Sequence, residues 1–190
     1  ATIISAITAT GDVGQIGQFR WGSTTKTCLV DRIEIGLTMV TDFTNFQRLI
    51  LGVRKVTAHT ATASGGTTTA SLATVALLTG DYGKLHPDYP TTALTDFRMT
   101  DTADLTCGAG ARALEAQDLF MLTCTPPSDG VTIANSKFEK VWEARGNPVV
   151  LRENTGLSLM NHVLWGAAGT AIVDMAIEWR ELLNADVPAV

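Results

Sequence analysis

Histidine and cysteine, the side chains that most often bind metals or act as nucleophiles, are few in this chain and lie far apart. None of the three histidines has another histidine or a cysteine at the spacing of a metal site. The cysteines are odd in number and widely spaced, which favours buried, reduced thiols over a disulfide framework, although Cys107 could approach Cys124 if their strands pair. These residues are His59, His86, His162, Cys28, Cys107 and Cys124. We therefore predict neither a metal site nor a cofactor.

Signatures of catalysis and of phosphate or calcium binding are equally scarce. Ser128 and Ser158 do not lie in a Gly-x-Ser-x-Gly turn, and the sequence identifies no base for either one. The glycines at 11, 14 and 17 fit neither phosphate-binding pattern. The spread of Asp96, Asp101 and Asp104 lacks the glycine and glutamate of a calcium loop, which favours solvated turns. We predict no catalytic residues and hence that the chain is not an enzyme.

Exposed aromatic residues could instead bind a sugar, because many β-sandwiches bind glycans by stacking the sugar rings on exposed aromatic side chains. Trp165 and Trp179 lie on the apolar side of their strands and are predicted to belong to the core. Trp21 and Trp142 remain candidates for a sugar-binding platform. Residues 81–90 contain two prolines, a glycine and two aspartates, a composition typical of a surface loop. Its candidate contact residues are Tyr82, His86 and Tyr89.

Length and composition limit the classes of protein that remain. The chain has 190 residues and a formal net charge of −5, and this charge argues against binding of nucleic acid, which requires a basic face. No apolar run approaches 18 residues, and the N-terminal residues lack the basic start and apolar core of a secretion signal. We therefore expect one domain, without a nucleic-acid or membrane partner. Threonine, alanine and glycine together exceed a third of the chain, which favours pleated, turn-rich structure.

Alternation of apolar and polar residues predicts strands along most of the sequence. Residues 29–40 and 46–57 both alternate and are joined by a short turn, so we predict that they are antiparallel neighbours. Residues 157–165 and 173–180 also alternate, and we predict that they form a two-stranded meander with its charges toward solvent. Further strands are expected at 97–107, 111–125 and 138–145, with a short helical turn as the alternative at 111–117. A short apolar piece occupies 72–78, and Val149 and Leu151 lead into a turn at 153–156.

A pattern of about eight strands with no predicted helix favours an all-β fold. At this length an antiparallel β-sandwich of the eight-stranded jelly-roll type is favoured over a smaller immunoglobulin-like domain. Residues 1–17 are predicted to be an extended N-terminal arm, and residues 18–190 a single jelly-roll domain. The arm carries Ile3, Ile4 and Ile7, which favour docking on a neighbouring subunit, with a frayed terminus as the alternative. The uncharged residues 57–70 are a second predicted assembly surface.

Several stretches resemble β-sandwich structural proteins of tailed bacteriophage virions. The stretches are RIEIGLT at 32–38, NPVVLRENTGLSLMN at 147–161, WGAAGT at 165–170 and IEWRE at 177–181. The resemblance is one of strand-and-turn rhythm and covers roughly 120 residues. It implies a virion protein without enzymatic activity, made in the host cytoplasm and placed on the capsid surface. Decoration or cement proteins of this kind bind the major capsid protein or other virion proteins, commonly as homotrimers.

Two functions therefore stand as hypotheses. The first is a decoration or cement protein that forms oligomers and stabilises the capsid lattice. The alternative is a binding module of the tail, fibre or collar, which recognises a host glycan or another virion protein through residues 81–90 or Trp142.

Overall fold

Ten β-strands account for most of the part of the chain that the structure describes. The computed structural model describes residues 2–4, 15–41, 49–60, 92–99, 112–124, 136–163 and 169–187. The strands are β1 (Thr2–Ile4), β2 (Gln15–Trp21), β3 (Lys26–Thr41), β4 (Leu49–His59), β5 (Leu94–Met99), β6 (Arg112–Cys124), β7 (Lys137–Glu143), β8 (Val149–Leu151), β9 (Thr155–Asn161) and β10 (Thr170–Leu183). A 3-10 turn, Asn184–Asp186, follows the last strand. No helix in the described ranges has the length and apolar character needed to cross a bilayer.

The strands form two antiparallel sheets that pack face to face, which confirms the predicted all-β sandwich. In the first sheet the strand order is β1-β10-β3-β7, and β8 pairs with the remaining part of β3. In the second sheet the order is β5-β2-β9-β4-β6. Every strand pair in both sheets is antiparallel.

Two predicted strand pairings are wrong. The strands at 29–40 and 46–57 were expected to be neighbours, but β3 lies in the first sheet and β4 in the second. The predicted meander of 157–165 with 173–180 also fails, because β9 pairs with β2 and β4 whereas β10 pairs with β1 and β3. The chain therefore crosses from one sheet to the other between β3 and β4, and again between β9 and β10. Each of these strands still turns one apolar side toward the core, so its alternation of apolar and polar residues is the same as in a hairpin.

The inner faces of the two sheets supply one continuous apolar core. Ile33, Ile35 and Leu37 on β3 are almost completely buried, and Leu157 and Leu159 on β9 are fully buried. Each such side chain contributes about 1.5–3 kcal/mol when it leaves water. The Phe19 ring of the second sheet meets the Trp179 ring of the first sheet edge to face, with 5.4 Å between their centroids.

A β-bulge allows β3 to keep its apolar side chains inside from Cys28 to Met39. The register with β10 shifts between Glu178 and Trp179 and leaves Asp31 without a partner residue in β10. As a result the completely buried side chains change from odd numbers, such as Ile33, to even numbers, namely Val30 and Cys28. The released Asp31 carboxylate accepts two hydrogen bonds from the Arg180 guanidinium, at 2.6 and 2.8 Å.

The predicted arm overlaps two strands. Its residues Thr2–Ile4 form β1, which pairs with Ala171 to Val173 of β10 in the same chain, and its last three residues open the buried strand β2. The helical alternative at 111–117 is wrong, because Arg112–Cys124 is a strand. Several predicted features lie outside the described residues: Ile7, Cys107, Trp165, the loop with Tyr82, His86 and Tyr89, and most of the uncharged segment.

Candidate functional site

The outer face of the second sheet carries a layer of polar side chains that are nearly inaccessible to solvent. Gln18 and Ser158 lie opposite each other on β2 and β9, and both are completely buried. Ser158 in turn lies opposite Arg54 on β4. We call this layer the buried polar face; its other members are Arg20, Gly52, His59, Asp96, Arg98, Arg112, Asp118, Gly156 and His162.

One ion cluster of this face joins β4, β6 and the end of β9. Arg54 Nε donates to Asp118 Oδ1 at 3.1 Å, and His162 Nε2 lies 2.9 Å from Asp118 Oδ2. The three side chains retain only 11 to 18% of their exposure. Gly52 makes room for them, because a β-carbon there would lie 2.9 Å from Asp118 Cγ and would overlap His162 Nε2. The cluster therefore depends on a glycine in the middle of β4.

A second cluster lies at the other end of the sheet. Gln18 Nε2 donates to Asp96 Oδ2 at 2.8 Å, and Arg98 donates to both oxygens of the same carboxylate, at 2.7 and 3.0 Å. The Asp96 side chain is 5% exposed. A buried carboxylate is tolerated when an arginine fork and further donors satisfy it, as here.

The remaining polar side chains of this face are Ser158, one histidine and two arginines. Arg112 Nη1 donates to Ser158 Oγ at 3.0 Å. His59 is 3% exposed, and its Nε2 lies 3.2 Å from the position of a β-carbon on Gly156. Arg20 Nη2 donates to Asn154 Oδ1 at 3.0 Å in the turn before β9, where Asn154 has a left-handed φ of 58°.

The arrangement pairs charges, and Asp118, His162 and Ser158 do not form a hydrolytic triad. Asp118 could orient the His162 imidazole as in a general base. However, Ser158 lies four residues before His162, about 13 Å along an extended chain, so the imidazole cannot reach that hydroxyl. Nowhere in the described ranges do three histidine, cysteine or carboxylate side chains come together as metal ligands.

The structure settles the positions of several predicted candidates. Trp21 was a candidate for a sugar platform, but it is completely buried and its Nε1 donates to the Lys26 carbonyl at 2.8 Å, so that prediction is wrong. Trp142 on β7 is half-buried against the core. Cys28 and Cys124 are buried free thiols, and burial raises the pKa of both, to about 11 for Cys124.

The outer face of the first sheet differs, because its charges lie in solvent. Arg32 Nη1 donates to Glu178 at 2.9 Å and Arg32 Nη2 to Glu34 at 2.6 Å. On β7, Lys137 forms an ion pair with Glu139. Exposed pairs of this kind contribute only about 0–1 kcal/mol each, so the face is a solvated surface and little of the stability depends on it.

Sequence reasoning missed the buried polar face, although it contained a signal. The alternation of β4 placed Gly52 and Arg54 on a side that we assumed was solvated. A glycine inside a strand marks a close approach of other groups, and both Gly52 and Gly156 lie beneath histidine side chains.

Comparison of the chain with protein-family models, with curated proteins and with solved structures found no match.

Proposed function

We propose that the chain is a non-enzymatic structural protein of a tailed-phage virion. In this proposal it is a decoration or cement protein that associates with copies of itself, binds the major capsid protein and stabilises the capsid lattice. The observation that carries the proposal is that the buried polar side chains of this chain pair with one another. On the buried polar face, Asp96 and Asp118 are engaged by Arg98 and Arg54 of the same sheet, so these groups brace strands and do not converge on a ligand.

The strand order supports a jelly-roll assignment within this proposal. Four strands of the first sheet run in the order β1-β10-β3-β7, and four of the second run β2-β9-β4-β6. Strands that follow one another along the chain, such as β1, β2, β3 and β4, alternate between the sheets. Two interleaved Greek keys have this property, and β5 and β8 would then be additions to the eight-stranded plan.

Incorporation into particles tests the role of the N-terminal arm. Because β2 begins at Gln15 and is buried, the suitable truncation removes residues 1–14; it takes away the three-residue strand β1 at the edge of the first sheet and leaves β2 intact. We expect the truncated chain to fold, as measured by circular dichroism and a cooperative unfolding transition, but to be missing from purified particles. Normal incorporation of this variant would refute the docking arm.

Imaging tests the location. An antibody to the chain, labelled with gold, should decorate the capsid surface of intact particles in electron micrographs. Particles without label would refute the virion role, and label confined to the tail would favour the second candidate function, a glycan-binding or protein-binding module.

One observation favours that second candidate: the half-buried Trp142 lies on a strand at the edge of the first sheet. Tight, selective binding on a glycan array, lost in Trp142→Ala, would support it.

A further inference from the structure

Strand β7 forms one edge of the first sheet and presents a row of backbone groups outward. Among the residues that the structure describes, β7 pairs only with β3. Hydrogen bonds from Met39 N to Ser136 O and from Ala144 N to Asp31 O show that even-numbered residues direct their backbone groups toward β3. In an antiparallel ladder these directions alternate, so Lys137, Glu139 and Val141 direct theirs away from the sheet.

The side chains of β7 on the outer face of the sheet are accessible to solvent. Lys137 and Glu139 are 57% and 46% exposed, and Val141 is 41% exposed. Phe138 and Trp142 point to the other side of the strand and are only partly covered by the core. An accessible edge strand with half-covered aromatic side chains is a template for another strand.

In one antiparallel register, the side chains of two β7 strands are complementary at every facing pair except the central one, where the two Lys140 side chains meet. When Lys140 lies on the two-fold axis, Lys137 faces Glu143 of the second copy, and Glu139 faces Val141. On the other side of the strand, Phe138 then faces Trp142. A shift by two residues in either direction loses both Lys137–Glu143 pairs and places Glu139 opposite a glutamate, which is either Glu139 or Glu143 of the second copy.

We propose that β7 pairs with β7 of a second copy of this chain, antiparallel and in the register centred on Lys140. The two first sheets then become one continuous sheet, and each Phe138 and Trp142 is covered by an aromatic side chain of the other copy. The contact is isologous, so it closes at two subunits. The proposal does not depend on the virion role, and it differs from the three-fold contact that the resemblance implies.

The contact is small, which determines how it must be measured. A pairing of seven-residue strands buries less surface than a standard interface, so we expect a dimer that dissociates on dilution. Sedimentation velocity over a concentration series from micromolar to millimolar should follow a monomer–dimer equilibrium. A chain that stays monomeric at the highest concentration would overturn the proposal.

Charge reversal tests the register. Lys137→Glu and Glu143→Lys each place like charges opposite each other twice per dimer, and we expect each to weaken dimerisation about tenfold. The double variant restores opposite charges and should recover the wild-type dissociation constant. Lys140→Gln removes the like charges at the two-fold axis and should strengthen the dimer. Failure of the double variant to recover affinity would overturn the register.

Cross-linking tests the geometry independently of affinity. In the proposed register Lys140 lies opposite Lys140 of the second copy. The two residues form a pair without backbone hydrogen bonds, the type of pair in which side chains are closest. Lys140→Cys should therefore give a disulfide-linked dimer on mild oxidation. The wild-type chain controls for its native thiols, and Val141→Cys, whose side chain points to the opposite face, should cross-link far less. A dimer or trimer in which Lys140→Cys does not cross-link would overturn the contact.

A proline substitution tests the backbone hydrogen bonds. The N–H of Val141 points away from β3, so Val141→Pro removes a donor of the proposed contact and leaves the ladder within the chain intact. We expect the folded variant to lose dimerisation, whereas Val141→Thr should retain it. Unchanged dimerisation of a folded Val141→Pro chain would contradict the proposal, and circular dichroism verifies folding in both variants.

Discussion

Replacement of Gly156 by alanine tests whether close packing of β2 against β9 holds the second sheet together. A β-carbon at Gly156 would overlap the carbonyl oxygen of Phe19 and would lie 3.2 Å from the Arg20 Cα. A carbon and a carbonyl oxygen seldom approach closer than about 3.3 Å, so β2 would have to move by a distance on the order of 1 Å. Since the obstacle is backbone, no change of rotamer can relieve it.

The expected cost is large for a single methyl group. Overpacking typically costs about 1–3 kcal/mol, and an obstruction between two central strands belongs at the upper end. We therefore expect Gly156→Ala to lower the free energy of unfolding by about 3 kcal/mol. For a domain of this size, that corresponds to a fall in Tm of roughly 6–12 °C. Urea denaturation followed by circular dichroism, together with a thermal melt, measures both quantities.

Two other glycines supply matched controls. A β-carbon at Gly36 would meet only the side chain of Asp174, whose Oδ2 lies 3.2 Å away on the exposed face, so Gly36→Ala should cost less than about 1 kcal/mol. Gly146 has open space around it but a φ of +94°, so Gly146→Ala should cost about 1 kcal/mol through backbone strain alone. If Gly156→Ala unfolds at the wild-type urea midpoint, or if Gly36→Ala costs as much, the packing argument is refuted.

Three further predictions concern buried groups. Asp118→Asn removes the charge that Arg54 and His162 share, and should lower the free energy of unfolding by about 2 kcal/mol in urea titrations; an unchanged midpoint would show that the cluster is not structural. Because burial raises their pKa, the Cys28 and Cys124 thiols should not react with a disulfide reagent at pH 8 until urea unfolds the chain, as counted by thiol titration. The raised pKa of Cys124 stabilises the fold below about pH 9, and this contribution is lost as the pH rises toward 11. Paired unfolding curves of the wild type and Cys124→Ala should therefore converge over that window.

The positions of the strands could be predicted because alternation depends on one strand at a time. The pattern at 29–40 lies within β3, and the pattern at 173–180 lies within β10. Each strand buries one of its sides against the core, so the apolar parity is visible without knowledge of its neighbours. The bulge at Asp31 was not visible, because it depends on the register with Arg180 and Glu178 of a distant strand.

Strand pairing could not be predicted in the same way. Both sheets of a sandwich turn an apolar side inward, so a strand that crosses to the other sheet has the same alternation as one that makes a hairpin. The neighbours β3 and β4 illustrate this, because each alternates correctly but they belong to different sheets. The assumption that short connections make hairpins failed for this physical reason.

The two outer faces raise a further problem, because alternation identifies the polar side of a strand but not whether solvent reaches it. On the exposed face of the first sheet, Arg32 and Glu178 pair at the surface. On the second sheet, Arg54 and Asp118 make the same kind of pair at 11 to 16% exposure. Interior glycine does not separate the two cases, since Gly36 lies beneath Asp174 on the exposed face. Among the strand glycines that the structure describes, an imidazole packs over Gly52 and over Gly156 on the buried face, whereas the Asp174 carboxylate packs over Gly36 on the exposed face. The difference between the two faces therefore lies in contacts between residues that are distant in sequence, and alternation within one strand contains no record of those contacts.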